Sequence, residues 1–288
     1  ESYAGVYLPT LGVLVDADPK LNLKGIAIGN GYLDVSKLAD SLIYFSYYHG
    51  LAGKSAWDEI SRSCCDNRPP APENCQLNKT EAHCSFAVND VLRSLDNGIN
   101  PYNIYADCAG QSGGNQKALH RSIRHISREQ IDRRLLKLAL NRPARSSQSS
   151  SVSLFETKYS SLSDFLDHNL PCEDDSTLES YLNQPKVRRA IHVPKEVEDW
   201  VVCRYVPYVM QYPMREGGLA PQIKSLISSK RNLTLLVYNG DVDSVCNFLG
   251  DEWFVDDLRR DLIKDYTIWR VDNQVAGWVK HYDGITFA

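Results

Sequence analysis

The sequence predicts an α/β protein built on parallel strands. Two short apolar runs, at residues 25–31 and 233–238, have the length and composition of buried strands and end in turn residues. Helical apolar spacing covers residues 2–15 before the first run and residues 223–229 before the second. This alternation is typical of parallel sheets, because parallel neighbours need a crossover connection.

The elements are expected in the following order. Pro9 lies inside the first helical pattern, where a proline ends or kinks a helix. The first strand closes on Asn30-Gly31, a pair that accepts positive φ in a turn. Then come a helix around residues 42–48, two helices separated by Pro185 within 174–193, a helix at 223–229, a strand at 233–238, a helix at 247–260, a strand at 266–271 and the start of another strand at residue 285.

Ser2 is the candidate nucleophile. Two small residues, Ala4 and Gly5, follow it, and an apolar run begins at Val6. A serine on a strained strand-to-helix turn needs small neighbours, because a larger side chain would clash where the chain reverses. A serine that caps a helix N-terminus is the alternative for so short a motif.

A candidate acid follows the second strand, at residues 239–243 with the sequence NGDVD. An α/β-hydrolase orders its triad as serine, acid and histidine along the chain, so a carboxylate is expected here. Position alone leaves Asp241 and Asp243 as alternatives, and turn capping also explains Asp241. His281 is the only histidine after Asp243, and chain order alone nominates it as the base.

Three motifs carry a resemblance to a known family. They are ESYAGVY at the start of the chain, GIAIGNG at 25–31, and NGDVD at 239–243 followed by CNFLGDEW at 246–253. In this order they resemble the serine carboxypeptidase family along the whole chain, with a weak patch near 112–170. The resemblance implies an α/β-hydrolase fold with a disulfide-rich, mainly helical cap insertion.

The resemblance also implies roles for individual residues. It selects Asp243 as the triad acid and gives Tyr3 one backbone amide of the oxyanion hole. Glu1 is implied to receive the carboxylate of the substrate's C-terminus, because a buried glutamate with a raised pKa can donate a hydrogen bond to it at acidic pH. Cys246 is implied to be a free thiol that lines the S1 pocket beside Tyr3.

The general base is not assigned to a residue of this chain. The family's catalytic histidine lies in a glycine-rich turn after the strand that begins at residue 285, whereas His281 precedes that strand and is expected on the surface. The second oxyanion donor belongs to a loop before Glu1. The chain is therefore expected to lack sequence at both ends and to be inactive by itself.

Three segments are expected: hydrolase core at 1–36, a cap insertion at 37–204, and core again at 205–288. Within the cap, residues 117–153 are strongly basic and then serine-rich, so they cannot bury a core. An exposed loop is the simplest explanation. The resemblance adds a linker that proteolysis removes, and nucleic-acid binding is the weakest alternative.

Eight cysteines and two glycosylation sequons, at Asn78 and Asn232, indicate the secretory route. Zinc is the rival explanation for the cysteines, but their spacing lacks the usual Cys-x2-Cys pairs. The resemblance implies the disulfides Cys64–Cys84, Cys65–Cys75 and Cys108–Cys172, with Cys203 left to bridge to residues outside the chain.

Composition limits the partners. Hydrophobic residues make up 43% of the chain, charged residues 24%, and the net charge is −4, so neither nucleic acid nor an anionic membrane is an expected partner. No apolar run approaches the roughly 18 residues that span a bilayer. No cofactor and no metal are expected.

The resemblance predicts an acid-active, lysosomal or secreted enzyme that removes C-terminal amino acids through an acyl-enzyme on Ser2. Its expected partners are peptides with a free C-terminus, and the resemblance also allows a homodimer. The alternatives are a non-catalytic partner that protects lysosomal glycosidases and a carboxypeptidase-like acyltransferase.

Overall fold

The structure is a computed structural model that describes residues 1–75, 77, 82–95, 99–107, 175–202 and 217–288. Numbered in order within these ranges, its helices are α1 (Ala4–Ala17), α2 (Val35–Tyr48), α3 (Lys54–Cys64), α4 (Ala82–Leu95), α5 (Ser176–Leu182), α6 (Pro185–Ala190), α7 (Ala220–Ile227) and α8 (Phe248–Asp256). Its strands are β1 (Gly25–Gly29), β2 (Thr234–Tyr238), β3 (Leu262–Val271), β4 (Gln274–Tyr282) and β5 (Ile285–Phe287).

The strands form one sheet in the order β1-β2-β5-β4-β3. β1 and β2 pair in parallel along their whole length, from Gly25 opposite Thr234 to Gly29 opposite Tyr238. β2 also pairs in parallel with β5, whereas β4 is antiparallel to both β5 and β3. The expected α/β fold is therefore confirmed, and the carboxyl ends of β1 and β2 lie side by side.

β4 is the strand that the sequence analysis missed. It joins β3 through a two-residue turn at Asp272 and Asn273, which have φ values of 48° and 63°. Two consecutive positive φ values suit a tight hairpin, and aspartate and asparagine tolerate them. The Asp-Asn pair between two strand-like runs was the sequence feature from which this turn could have been predicted. Most residues of this hairpin are exposed. Its sequence therefore shows little of the alternation of apolar and polar residues that burial of one sheet face produces.

The main core lies between the sheet and the helices α1, α7 and α8. Among its fully buried side chains are Ile28 from β1, Val237 from β2, Ile223 from α7 and Phe254 from α8. Pro9 lies inside α1, and the helix continues to Ala17, so this proline does not end it.

A second core forms between α2, α3 and α4, and two disulfides cross it. Cys64–Cys84 joins the end of α3 to α4, and Cys65–Cys75 closes the loop that follows α3. These are two of the three bridges that the resemblance implies. Side chains of α8 cover this core, so α8 contacts both cores. The boundaries of the cap stay a prediction.

Several sequence predictions fall outside the described residues. They are the Cys108–Cys172 bridge, the free Cys203, the sequon at Asn78 and the basic segment at 117–153. The other sequon residue, Asn232, is exposed in the turn before β2. The predicted helix pair within 174–193 is present as α5 and α6, but neither helix has a buried residue.

Candidate active site

Ser2 occupies a strained turn at the end of β1. It pairs with Gly31 in an isolated parallel bridge just beyond the strand, and α1 begins two residues later at Ala4. The Ser2 amide donates to the carbonyl oxygen of Asn30 at 3.0 Å, and the Tyr32 amide donates to the Ser2 carbonyl oxygen at 2.9 Å. Ser2 has φ of 54°. A side chain in this region costs roughly 1–3 kcal/mol and persists only where surrounding bonds hold it.

Gly5 allows this turn to pack against the end of β1. A β-carbon at Gly5 would lie 2.5 Å from the backbone nitrogen of Tyr32 and 2.9 Å from the carbonyl carbon of Gly31. Both are backbone atoms, so no side-chain rotation relieves the clash. The small residue that the nucleophile motif requires is therefore needed for backbone packing.

Replacing Gly5 by alanine is expected to lower the free energy of unfolding by about 2 kcal/mol, through overpacking against this backbone. Thermal unfolding measures the effect. Gly240→Ala is the matched control, because its β-carbon would meet no atom closer than 3.8 Å, and it should change stability by less than about 0.5 kcal/mol. Equal effects of both substitutions would contradict the packing argument.

Asp243 follows β2 and is half-buried, whereas Asp241 is exposed. One oxygen of Asp243 accepts from the Val245 amide at 2.7 Å and from the Cys246 amide at 3.4 Å. Burial raises the pKa of Asp243 to about 6, the two amides oppose this rise, and the charge of Glu1 adds to it. Of the two aspartates, Asp243 thus has the enclosed, oriented carboxyl that a triad acid needs.

Glu1 acts electrostatically on this loop. Its charge contributes to the raised pKa values of Asp243 and Cys246, although burial is the largest cause for both. Glu1 itself is exposed, and not enclosed as the resemblance implies. Cys246 is a buried free thiol, which is the state expected for it. The charge of Glu1 therefore acts on both Asp243 and Cys246.

Aromatic side chains lie next to the candidate nucleophile. The Tyr3 ring centroid is 5.1 Å from that of Tyr7 and 5.4 Å from that of Tyr32. Burial raises the pKa of Tyr32, and charges at Cys246 and Tyr3 add to this effect. Sequence reasoning included Tyr3 but missed Tyr32, which follows the GNG turn directly.

His281 lies on β4 and is half-buried, whereas the sequence analysis expected a surface position. It pairs with Thr286 of β5, and its Nδ1 lies 3.2 Å from the Thr286 hydroxyl. The antiparallel pairing of β4 with β5 determines this position. The structure records no bond from His281 to Ser2 or Asp243 within the described ranges.

Asparagine side chains join the two strand ends, and sequence reasoning missed them. The Asn30 amide nitrogen donates to the carbonyl oxygens of Gly240 and Cys246, both at 3.2 Å, and the Gly240 amide donates back to Asn30 Oδ1 at 3.0 Å. Asn239 also donates to the Cys246 carbonyl, at 3.1 Å. The Asn-Gly pair that ends each strand was the sequence feature from which this role of the asparagines could have been predicted.

Within the part of the chain that the structure describes, no cluster of histidine, cysteine, aspartate or glutamate could hold a metal ion. No helix in the same part is long and apolar enough to cross a membrane.

A family model described as Serine carboxypeptidase matches residues 1–288. The chain belongs to the serine carboxypeptidase family. It is 36% identical over 294 residues to the lysosomal protective protein of Mus musculus, and this match covers 100% of the chain and 57% of that relative. Serine carboxypeptidase ctsa-4.1 of Caenorhabditis elegans is 27% identical over 99% of the chain and 56% of its own length.

A solved structure supports the fold. The crystal structure of Kex1(delta)p, a prohormone-processing carboxypeptidase from Saccharomyces cerevisiae, matches with a TM-score of 0.56 at 16% identity, and the match covers 99% of this chain and 55% of that chain. The expected α/β-hydrolase fold is thereby confirmed. The chain spans slightly more than half the length of these relatives, so the activity of the whole protein is a matter for proposal.

Proposed function

We propose that this chain carries the nucleophile and acid of a serine-type carboxypeptidase that removes C-terminal amino acids from peptides at acidic pH. The observation that carries the proposal is the placement of Ser2 on a strained turn beside β1, with Asp243 following β2. Since β1 and β2 are parallel neighbours, both residues lie at the same edge of the sheet. This is the edge where open α/β sheets place their sites.

The chemistry follows from these positions. Ser2 Oγ attacks the carbonyl carbon of the last peptide bond, and its proton passes to a histidine base that Asp243 orients. The Tyr3 amide, at the N-terminal end of α1, donates to the developing oxyanion. The C–N bond breaks, the leaving amino acid takes the proton from the base, and water then hydrolyses the ester on Ser2.

Glu1 supplies the preference for a free C-terminus. It directly precedes the nucleophile, and its charge reaches Asp243 and Cys246, so a carboxylate bound beside it lies next to the reacting bond. Two carboxylates repel each other unless one holds a proton. A protonated Glu1 donates a hydrogen bond to the substrate carboxylate, and this requirement favours acidic pH.

Glu1→Gln separates this role from the chemistry. The amide donates at every pH, so KM of the variant should stay nearly constant between pH 4 and 7.5, whereas KM of the wild type should rise about 10-fold or more towards pH 7.5, because two carboxylates repel each other. The substitution also removes a charge that raises the pKa of Asp243. The acid limb of kcat/KM, which reports the free enzyme, should therefore shift to lower pH.

The assay is release of the C-terminal amino acid from an N-blocked dipeptide by the whole protein, with the C-terminally amidated dipeptide as the matched substrate. The proposal requires cleavage of the free acid in strong preference to the amide. Glu196→Gln, an exposed carboxyl-to-amide change, is the control and should follow the wild-type profile. Identical KM profiles for Glu1→Gln and wild type would reject Glu1 as the donor.

The disulfides and the relatives support a location along the secretory route. Disulfides persist in oxidising compartments, and the mouse relative is named a lysosomal protein. A lysosomal or secreted location therefore belongs to the proposal.

A further inference from the structure

Asp251 lies in the first turn of α8, has no exposed surface, and has no part in the chemistry proposed above. Its Oδ2 accepts from the Gly31 amide at 3.0 Å and from the side-chain nitrogen of Asn239 at 2.9 Å. One donor follows β1 and the other follows β2. A single carboxyl oxygen thus joins the ends of the two strands that carry the candidate site.

Each donor residue is connected to a residue of the candidate site, directly or through one other residue. Gly31 forms the bridge with Ser2, so a shift of Gly31 moves the nucleophile. Asn239 also donates to the carbonyl oxygen of Cys246, whose amide donates to Asp243. Asp251 therefore lies where the segment that holds Ser2 meets the loop that holds Asp243.

Two buried oxygen atoms in this junction have no hydrogen-bond donor among the described residues. They are Oδ1 of Asp251 and Oδ1 of Asn239, on the two side chains that already share one hydrogen bond. Both atoms are acceptors when Asp251 is ionised, and buried acceptors without donors are costly. When Oδ1 of Asp251 holds a proton, it becomes a hydrogen-bond donor for Oδ1 of Asn239.

We propose that Asp251 is a positioning residue that sets Ser2 relative to Asp243, and that it does so as a neutral carboxylic acid sharing its hydrogen with Asn239. The pairing resembles an acid–amide dimer, in which Asn239 donates to one oxygen of Asp251 and accepts from the other. The effect of Asp251 on catalysis rests on the proposed function, whereas the protonation state of Asp251 does not.

The surroundings of Asp251 favour the neutral form. Burial raises its pKa to about 7, the bonds from Asn239 and Gly31 oppose the rise, and the charge of Asp243 adds to it. Cys246 is a further titratable group that interacts with Asp251. Neutral residues among the described ones also lie around it: Gly31 and Asn239 at the strand ends, and Leu38 and Ser41 of α2, which pack against Gly250 beside it.

This proton leads to a defined dependence of stability on pH. A folded-state pKa near 7, above the ordinary aspartate value of 3.8, means that the folded protein holds a proton that the unfolded chain has released. The stabilisation is complete below about pH 4 and is lost as the pH rises through about 7. Asp243 contributes a similar slope up to about pH 6, so the test compares variants with the wild type.

The experiment uses three variants of the whole protein. Asp251→Asn imitates the neutral acid, because its nitrogen can donate to Asn239 while its oxygen keeps both existing bonds. Asp251→Leu removes both acceptors. Asp257→Asn is the control, a carboxyl-to-amide change at the other end of α8 on a largely exposed side chain. Tm is measured from pH 4 to 8, with kcat and KM at pH 5.

We expect Asp251→Asn to keep kcat within about 3-fold and to lose the fall in Tm that the wild type shows between pH 6 and 8. Asp251→Leu should lose about 100-fold in kcat with little change in KM, because a misplaced nucleophile slows chemistry more than binding. Asp257→Asn should match the wild type in kcat, in KM and in the slope of Tm against pH.

Two results would overturn the proposal. A Tm of Asp251→Asn well below the wild type at pH 5 would mean that the anion is required, whatever the activity. Full kcat in Asp251→Leu would reject the positioning role. If Asp251→Leu does not fold, the Tm profile of Asp251→Asn alone decides. If the wild type releases no amino acid, the proposed function fails, while the Tm comparison still decides the state of Asp251.

Discussion

Replacing Ser2 by alanine is expected to reduce kcat for release of C-terminal amino acids by about 10⁴-fold or more, while the protein stays folded. In the proposed mechanism the hydroxyl oxygen of Ser2 forms the acyl-enzyme, and loss of a triad member removes most of the rate enhancement. Fold and KM should be little changed, because the bonds that hold this turn come from the backbone of Ser2. Steady-state kinetics and thermal unfolding of the same preparation measure both effects.

Ser2→Gly provides the matched comparison. Both substitutions delete the hydroxyl, but only glycine relieves the positive φ of 54°. Ser2→Gly should therefore be as inactive as Ser2→Ala yet more stable than it, by about 1 kcal/mol. Ser55→Ala, an exposed serine of α3, should leave activity unchanged. Substantial activity in Ser2→Ala would require a different nucleophile.

Replacing Lys280 by methionine is expected to lower the free energy of unfolding by about 3 kcal/mol. The Lys280 amine is almost buried and lies 3.1 Å from Glu252 Oε1 and 3.2 Å from Asp256 Oδ1, so it attaches the β3–β4 hairpin to α8. It also lies 5.4 Å from the ring centroids of Tyr266 and Tyr282. Removing one partner of a buried ion pair leaves the other charge uncompensated, which costs more than the pair contributes.

A double variant tests this explanation. Only 13% of the Glu252 side chain is exposed, so its charge is the one left without compensation. Glu252→Gln in the Lys280→Met background removes that charge and should recover about 1 kcal/mol or more. Lys264→Met, on the exposed face of β3, should change stability by less than about 0.5 kcal/mol. No recovery in the double variant would mean that lost packing, and not charge, causes the destabilisation.

Local sequence was enough to predict the main core strands. β1 and β2 are short apolar runs with turn residues at their ends, and burial imposes that composition on them. β4 escaped prediction because most of its residues are exposed and its pairing with β3 and β5 depends on the hairpin turn. The continuation of α1 through Pro9 was also left open by sequence, since packing against the core outweighs one missing amide.

By itself, the sequence determined the family, and it placed the candidate nucleophile and, after β2, the candidate acid, because these depend on short motifs in a fixed order. Tertiary structure decided how Asp241 and Asp243 differ in burial, where His281 lies and what surrounds Asp251. The reason is distance along the chain. Asp251 and Gly31 are 220 residues apart, and they become neighbours only when β1 pairs with β2 and α8 packs beside them. No local sequence pattern encodes this contact, so the hydrogen bond between Gly31 and Asp251 is visible only in the folded molecule.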